Sequence, residues 1–428
     1  MSAHSTPQLT EADLAEAAAR LERAKAAGCP VVNFDYTTPR PAMTYFNEFD
    51  ELRNQGPTAY SSYGPGFWML LTSDLVREAY QTPEIFSSHA TIPSIPNPDW
   101  LWIPTMVDPP LHSEYRRMLN IAFSPRFVKQ NEDRIRQDCV EIIEKFAGDG
   151  KVDFIEQFAK VFPTQVFLRI VGLPMEHTEM FMAWVEATFD GLGHFGDKAV
   201  SQHDAQVAIR SYFSDVLTDR RENPPANAED DFFSILANTV IGGEPIADEA
   251  FANMAEVILL AGLDTVKSQL SYMFYWLAHN PSDREWIVRE PEIIPNAVEE
   301  FLRAHNIVMT ARKVSQDTDF HGCPMKKGDM VMVANPSASR DEAEFDNPTE
   351  IQLDRQITTH YSFAGGPHRC VGAHLARKEL AIALEEWHKR IPNYEVTKSR
   401  VPRRGRPDRR PRMPRARVVG VSSSCAEL

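Results

Sequence analysis

One cysteine near the C-terminal end of the chain lies between glycines at the start of a predicted helix. Its segment reads Phe363-Ala-Gly-Gly-Pro-His-Arg-Cys370-Val-Gly372, and a helical pattern begins at Ala373. Free backbone N–H groups and the positive end of the helix dipole favour a thiolate at this position. A single thiolate suits an iron with one protein ligand better than zinc, which takes three or four. The alternative is a buried, inert cysteine.

The composition is that of a soluble globular protein. Of the 428 residues, 43% are hydrophobic, which is enough for a sizeable core in one large domain or two average ones. No run approaches the roughly 18–20 apolar residues that span a bilayer, and no signal peptide is predicted. The five cysteines are odd in number and widely spaced, which favours a reducing compartment. We therefore expect a cytoplasmic protein without a membrane segment.

The charge is unevenly distributed along the chain. The net charge is −15, but nine arginines and one acid between Arg400 and Arg417 give that stretch +8, which leaves −23 for the rest. An acidic body disfavours nucleic acid as a partner. Prolines accompany these arginines, so residues 398–428 are predicted to form a poorly ordered tail.

Most of the chain carries helical periodicity, and no internal repeat is found. Thr10-Glu-Ala-Asp13 is a capping box that opens a helix reaching Gly28, either a surface helix or a mobile lead-in. Residues 88–107 are predicted to form a long ordered loop, and helical patterns dominate from 108 to about 310. Strand signals are found at 67–72, around Phe320 and at 330–333. These patterns predict a mainly α fold with small β-sheets.

The longest helical pattern covers residues 248–279. At about 1.5 Å per residue, such a helix crosses the whole molecule. Ala261 and Gly262 leave space beside it for a flat ligand, although a glycine costs about 1 kcal/mol of helix propensity. Thr265 lies one turn after Ala261 on the same face and projects over that space. The alternative is an ordinary buried helix whose threonine bonds the preceding turn.

Two further helices carry paired polar residues. One follows Pro295 and places Glu300 and Arg303 on one face, where they can pair; such a pair is also common on a solvated surface. The other begins after Asp108, a predicted N-cap, and places His112 and Arg116 four residues apart.

Taken together, the cysteine segment, the sequence Ala261-Gly-Leu-Asp-Thr265, the Glu300-x-x-Arg303 helix and the segment from Asp108 to Arg116 resemble four motifs of the cytochrome P-450 monooxygenases, in the family's order. The resemblance covers roughly residues 30–397, and its finer features are similar to the camphor-hydroxylating type of soluble bacterial enzyme. It implies the P-450 fold, with the long helix crossing over a haem. The expected organisation is an N-terminal lead-in at 1–29, one monooxygenase domain at 30–397 and the tail at 398–428.

The same resemblance implies roles for individual residues. Cys370 would be the iron ligand, and Asp264 and Thr265 would deliver protons during oxygen activation. Arg355 would join Glu300 and Arg303 in a structural cluster that holds the cysteine loop. The expected haem contacts are His112, Arg116, Arg312, His368, Ala261, Gly262, Phe363 and Gly366, although Arg312 could instead be a solvated surface arginine. The expected walls of the substrate pocket are Trp100, Trp102, Val257, Leu260, Val308 and Met309.

The expected activity is hydroxylation of a small apolar molecule, such as a monoterpenoid or norisoprenoid, with haem b as the cofactor and O2 as co-substrate. Because the chain has no flavin or iron–sulfur motif, the resemblance implies a [2Fe-2S] ferredoxin and a separate NAD(P)H-dependent reductase. We expect a monomer. Two other functions stay open: a haem-thiolate peroxygenase or isomerase that needs no ferredoxin, and a non-catalytic haem- or ligand-binding protein.

The chain also departs from its expected relatives. Trp100 stands where the camphor-hydroxylating type has a tyrosine that hydrogen-bonds camphor's ketone, and Thr310 stands in place of an aspartate near a haem propionate. The family ends in an apolar hairpin lining the pocket, whereas this chain has the arginine-rich tail. A reading-frame change, a sequencing error or genuine divergence would each explain that difference.

Overall fold

The computed structural model describes residues 11–38, 44–191, 197–225, 231–356, 359–397 and 417–419. Within these ranges the chain is mainly helical. The α-helices are α1 (Glu11–Ala26), α2 (Thr44–Arg53), α3 (Ser73–Gln81), α4 (Leu111–Ala122), α5 (Pro125–Glu144), α6 (Val161–Ile170), α7 (Thr178–Gly191), α8 (Asp197–Glu222), α9 (Phe232–Ala237), α10 (Asp248–His279), α11 (Pro281–Arg289), α12 (Ile294–Ala304), α13 (Asn335–Ala338) and α14 (Ala373–Arg390). A π-helix and three 3-10 helices complete them: Ile155–Ala159, Met175–His177, Pro291–Ile293 and Gly366–His368.

Small sheets lie beside the helices. The strands are β1 (Val31–Val32), β2 (Thr58–Ser61), β3 (Phe67–Leu70), β4 (Phe86–Ser87), β5 (Lys151–Asp153), β6 (Val240–Ile241), β7 (Glu244–Pro245), β8 (Thr310–Val314), β9 (Thr318–Phe320), β10 (Cys323–Met325), β11 (Met330–Val333), β12 (Val396–Thr397) and β13 (Arg417–Val419). The largest sheet has the order β1-β2-β3-β11-β8-β4 and places Val331 opposite both Trp68 and Arg312. The predicted class, mainly α with small sheets, is confirmed.

Helix α10 organises the helical part. It covers the predicted residues 248–279 and packs against α6, α7, α8 and α14. Residues 251–260 are buried without interruption, but Ala261 is exposed and Gly262 is half-buried. Because the helix is buried on every side just before this point, the exposed Ala261 faces an open space beside it. None of the helices in the described ranges is long and apolar enough to cross a membrane.

Helix α1 is fastened to the large sheet. Arg20 Nε and Arg23 Nη2 lie 3.0 and 2.7 Å from the Asp329 carboxylate, which is buried. The indole N–H of Trp68, in β3, donates to the same carboxylate at 3.1 Å. Of the two interpretations left open by the sequence, the structure therefore has a packed surface helix and not a mobile lead-in.

The aromatic loop, residues 88–107, connects β4 to the turn before α4 without regular secondary structure, as predicted. The predicted N-cap Asp108 is wrong, because α4 begins at Leu111 after Pro110. Asp108 instead accepts hydrogen bonds from the Ser87 hydroxyl at 2.5 Å and the Ser88 backbone N–H at 2.8 Å. The carboxylate thus fastens the two ends of the aromatic loop together.

The C-terminal region contains one described segment. Strand β13 lies between β12 and β5, with Val418 opposite both Val396 and Val152. The predicted lack of order is therefore wrong for Arg417–Val419, where β-branched residues favour a strand. The rest of the predicted tail, at 398–416 and 420–428, lies outside the described residues.

Candidate active site

The cysteine loop is shaped by glycine and by one long-range backbone bond. Gly366 has φ +61°, and a Cβ there would lie 2.0 Å from the carbonyl oxygen of Tyr80, so no larger residue fits. The Cys370 N–H donates to the Phe363 carbonyl at 2.9 Å, which closes the loop. Helix α14 begins three residues after Cys370, so the sulfur lies at its N-terminal end.

The surroundings of the Cys370 sulfur have opposite effects on the pKa of its thiol. Burial of the loop raises the pKa of the thiol, although the side chain itself is exposed toward an open space. The Gly372 N–H, which donates to the sulfur, and Arg116, Arg377 and Arg369 lower that pKa. These groups stabilise a thiolate, which is the form that binds a metal.

Four of the predicted haem contacts cluster in front of this loop. The rings of His112 and His368 lie 4.1 Å apart between centroids, and Arg312 and Arg116 are close enough to lower the pKa of His368. Arg312 is 5% exposed, so the alternative of a solvated surface arginine is wrong. It donates to the Ala311 carbonyl at 2.7 Å and to the Thr310 hydroxyl at 3.1 Å.

The two histidines of the cluster have ring nitrogens without partners among the described residues. Within the described part of the chain, neither ring nitrogen of His112 nor Nε2 of His368 has a hydrogen-bond partner. Desolvation lowers the pKa of His112 to about 4 and that of His368 to about 3, so both rings are neutral at pH 7. Buried polar groups of this kind require partners. Neutral imidazoles beside two arginines suit carboxylates, so the site fits the propionates of a haem.

The middle of α10 carries the predicted proton-delivery pair. The Thr265 hydroxyl donates to the Ala261 carbonyl at 2.8 Å, the back-bonded arrangement considered above. Asp264 forms an ion pair with Lys267 on the next turn of the helix, and the two side chains are 24% and 18% exposed. A Cβ on Gly262 would meet Phe167 at 3.6 Å, an ordinary contact. Ala261 is thus the residue that opens the helix surface, while Gly262 faces a neighbouring helix.

The Glu300 cluster is fully buried and spans three segments. Arg303 Nε lies 2.7 Å and Arg355 Nε 3.1 Å from the Glu300 carboxylate, and both Glu300 and Arg303 have no exposed surface. The Gln352 N–H donates to the same carboxylate at 2.9 Å. Arg303 also donates to main-chain carbonyls, those of Ser339, Pro348 and Glu350. The structure therefore has a buried cluster here, not a solvated surface pair.

A second acid on the same helix was not predicted. The Glu299 carboxylate pairs with Arg377 at 2.5 Å and with His360 at 3.0 Å, and these contacts lower its pKa to about 2 against the effect of burial. The Arg377 guanidinium lies 4.4 Å from the ring centroid of Phe363. Glu299 thus connects α12 to α14 and to the cysteine loop. The adjacent acids Glu299 and Glu300 were the signal in the sequence.

The predicted pocket residues are divided among different surroundings. Trp100 lines a cavity of about 580 Å³, together with residues that include Met106, Arg210, Asn253 and Lys313. The other five predicted residues do not line this cavity. Trp102, Val257 and Leu260 are buried in the core, whereas Val308 and Met309 are half-buried. The cavity is therefore more polar than the predicted apolar pocket, and Asn253 lies about 12 Å along α10 from Ala261.

A buried acid on α10 also escaped prediction. Glu256 has no exposed surface and accepts hydrogen bonds from the Trp102 indole at 3.1 Å and from Arg210 at 3.0 Å. The signal in the sequence was one acid within the otherwise apolar run from Ala255 to Leu260. No nearby residue in the chain pointed to its partners.

Comparison with known proteins gives consistent matches. The family model described as Cytochrome P450 matches residues 42–396. The probable cytochrome P450 127A1 of Sinorhizobium fredii is 33% identical over 341 residues, covering 79% of this chain and 80% of that protein. A steroid C26-monooxygenase of Mycolicibacterium smegmatis is 30% identical over 330 residues, covering 76% and 80%.

Similarity to solved structures extends over the same region. The crystal structure of CYP101J2 has a TM-score of 0.78 and 31% sequence identity, and the match covers 86% of this chain and 91% of that one. Members of the matched family are oxidoreductases that bind haem b and use O2 with electrons derived from NAD(P)H. The chain belongs to the cytochrome P450 family of haem monooxygenases.

Proposed function

We propose that this monooxygenase hydroxylates a small apolar molecule of monoterpenoid or norisoprenoid size with electrons from a [2Fe-2S] ferredoxin. The observation that carries the proposal is the Cys370 loop, whose His368 ring lies 4.1 Å from that of His112 between centroids, and the exposed Ala261 on α10 adds support. Support for the small substrate comes from the resemblance to the camphor-hydroxylating type. The odd number and wide spacing of the five cysteines support a reducing cytoplasm as the compartment.

In this proposal the chain holds the cofactor from two sides. The Cys370 thiolate would bind the iron, with the Gly372 N–H and nearby arginines stabilising its charge. His112, Arg116, Arg312 and His368 bind the propionates. The bound haem supplies the activation of O2 that the protein's own side chains lack. Glu300, Arg303 and Arg355 keep the loop in position without touching the reacting atoms.

Proton delivery is assigned to α10. Asp264 is half-buried and held by Lys267, and Thr265 lies one residue further with its hydroxyl oxygen free to accept a second hydrogen bond. An acid and an alcohol at adjacent positions can pass a proton from the protein exterior toward the space beside Ala261. The ion pair with Lys267 holds the Asp264 carboxylate in place on α10.

The proposed partner surface surrounds the cysteine loop. Arg117 and Arg369 are exposed there, and Arg116 contacts the Arg369 carbonyl. Cations on an otherwise acidic chain attract an acidic electron carrier and orient it toward Cys370. A monomer leaves this surface accessible.

The test is reconstitution with a [2Fe-2S] ferredoxin, its reductase and NADH, after a binding screen that detects displacement of iron-bound water by a spin-state change. The panel contains monoterpenoids, norisoprenoids and, because a relative is a steroid C26-monooxygenase, sterols. Product formed in proportion to NADH supports the proposal. Product formed with hydrogen peroxide alone, and not with ferredoxin, indicates the peroxygenase. Binding without product in either assay indicates a ligand-binding protein.

A further inference from the structure

Glu256 is an acid at a position where burial of a carboxylate is energetically unfavourable. It lies in the part of α10 that is buried on every side, and its side chain has no exposed surface. Burial raises the pKa of Glu256, and Arg210, the Trp102 indole and the side chain of Gln206, also on α8, act in the opposite direction. A carboxylate removed from water destabilises a fold unless donors satisfy it. Since an apolar residue would fill this position at lower cost, the contacts made by the carboxylate require an explanation.

Those contacts connect three distant segments of the chain. Trp102 belongs to the aromatic loop, residues 88–107, and donates to Glu256 Oε1 at 3.1 Å across 154 residues of sequence. Arg210 belongs to α8 and donates to Oε2 at 3.0 Å across 46 residues. Each of the two oxygens therefore holds a different element against α10.

The same elements form the wall of the cavity described above. Arg210 and Trp100 line the cavity of about 580 Å³, and the Trp100 and Trp102 rings lie 5.8 Å apart between centroids. Met106, which also lines the cavity, donates its backbone N–H to the Trp102 carbonyl at 2.8 Å. Glu256 does not line the cavity itself. Through its bonds to Trp102 and Arg210, Glu256 contacts the aromatic loop and α8, which both carry residues that line the cavity.

The contacts of Glu256 differ from those of an ordinary buried ion pair in the same molecule, Asp138 with Arg169. Asp138, which is 2% exposed, binds Arg169 with both oxygens and connects α5 to α6. Both of its bonds go to one guanidinium, and neither residue lines the cavity. Glu256 divides its bonds between a helix and a loop. Movement of the aromatic loop away from α10 breaks the indole bond while the bond to Arg210 remains.

We propose that Glu256 is a positioning residue for substrate selectivity. By holding the aromatic loop and α8 against α10, Glu256 controls the access of small molecules to the pocket. The inference rests on the proposed function in one respect, that the space beside Ala261 receives the substrate. Trp102 is its partner on the loop, and Arg210 is its partner at the cavity.

The test measures access directly. The haem-loaded protein is reduced and bound to carbon monoxide, and the bimolecular rate constant for rebinding after flash photolysis is recorded. Hydrogen exchange of residues 88–107 is followed in the same samples. The variants are Trp102→Phe, which removes one donor and keeps a ring, Glu256→Leu, which removes both acceptors, and Glu256→Gln, which keeps an acceptor for Trp102. Asp138→Leu is the matched control for loss of a buried carboxylate.

Trp102→Phe is expected to change the rebinding rate constant by about two- to tenfold, the effect of one lost hydrogen bond. Glu256→Leu is expected to change it by at least as much, because it removes both acceptors. Exchange of residues 88–107 is expected to increase in both. The double variant should equal the larger single one, because both changes remove the same bond. Glu256→Gln should restore slow exchange in the loop, and Asp138→Leu should leave the rebinding rate constant unchanged.

Unchanged rebinding and exchange in Trp102→Phe overturn the inference, even where Glu256→Leu fails to retain haem. Equal effects of Asp138→Leu and Trp102→Phe also overturn it, since they indicate general loosening of the fold. Neither measurement uses a substrate, a ferredoxin or a reductase. Failure of the proposed function in reconstitution therefore leaves these results interpretable, and coupled product formation with unchanged rebinding contradicts the inference alone.

Discussion

The candidate active site has two sides: the cysteine side, formed by the loop before Cys370 and the Glu300 cluster, and the α10 side, formed by α10 and the elements that Glu256 contacts. Their buried acids form different kinds of contacts. On the cysteine side, Glu300 accepts from Arg303, Arg355 and the Gln352 N–H, and these arginines also bind main-chain carbonyls. On the α10 side, Glu256 has one bond to a loop and one to a helix. Several bonds shared with the backbone fix a loop in one conformation, whereas single bonds between elements can break one at a time.

The difference follows from what each side has to do. As the proposed thiolate ligand, Cys370 requires a fixed sulfur, and the loop before it is fastened at many points. A pocket for a small molecule requires a surface that opens, and on the α10 side the exposed Ala261 and the half-buried Trp100 leave room for one. We therefore expect the cysteine side to be the more rigid one and the α10 side to be the more adaptable one.

The largest expected effect comes from the centre of the cysteine side. Replacing Cys370 with Ser removes the thiolate, so the strongly red-shifted Soret band of the reduced, carbon-monoxide-bound protein should disappear. The absorption spectrum measures this directly. Cys29→Ser removes another, half-buried thiol and should leave the band in place. A red-shifted band that persists in Cys370→Ser contradicts the ligand assignment.

The next expected effect tests whether the cysteine side is the more rigid one. Glu300→Ala leaves two guanidinium groups without their buried carboxylate and should lower the free energy of unfolding by about 3–5 kcal/mol. Urea unfolding and the haem content of the purified protein report it. Asp317→Ala removes an exposed partner of Lys326 and serves as the control, with no measurable change expected. Equal losses in the two variants would remove the distinction between buried and exposed pairs.

The sequence allowed prediction wherever a feature depends on residues close together in the chain. The bounds of α10 follow from its apolar pattern and the proline after it, and the cysteine loop follows from a short run of glycines. Glu256 could not be predicted, because its partners Trp102 and Arg210 meet it only after the chain has folded. The N-cap assigned to Asp108 was wrong for the same reason, since Ser87 and Ser88 compete for its carboxylate.

On the α10 side, a change at Thr265 should alter the outcome of the reaction and leave the fold intact. Thr265→Ala removes the hydroxyl proposed to deliver protons, so NADH is still consumed but hydrogen peroxide replaces hydroxylated product. The ratio of product to NADH in the reconstituted system measures this coupling. Thr265→Ser keeps the hydroxyl and should retain most of the coupling. Unchanged coupling in Thr265→Ala contradicts the assignment, whereas Cys370 variants lose the reaction altogether.

The smallest expected effect concerns an exception on the cysteine side. Glu379, on α14, is 3% exposed, and its Oε2 has no hydrogen-bond partner within the described ranges. Burial raises the pKa of this carboxyl well above the ordinary value of 4.5. The folded chain therefore holds a proton that the unfolded chain releases above that value, so the stability contribution of Glu379 is lost progressively as pH rises from 4.5 toward the folded-state pKa.

Glu379→Gln cannot titrate and should be more stable than the wild type at pH 8 by about 1 kcal/mol, with the two proteins alike near pH 4. Urea unfolding at the two pH values measures the difference, and Glu141→Gln, on the exposed surface of α5, is the control. A gain confined to high pH identifies Glu379 as a buried acid that α14 keeps without a cation in the described part of the chain. A loss at both pH values would mean that the carboxyl has a partner essential for folding, and that the cysteine side fastens Glu379 as it fastens Glu300.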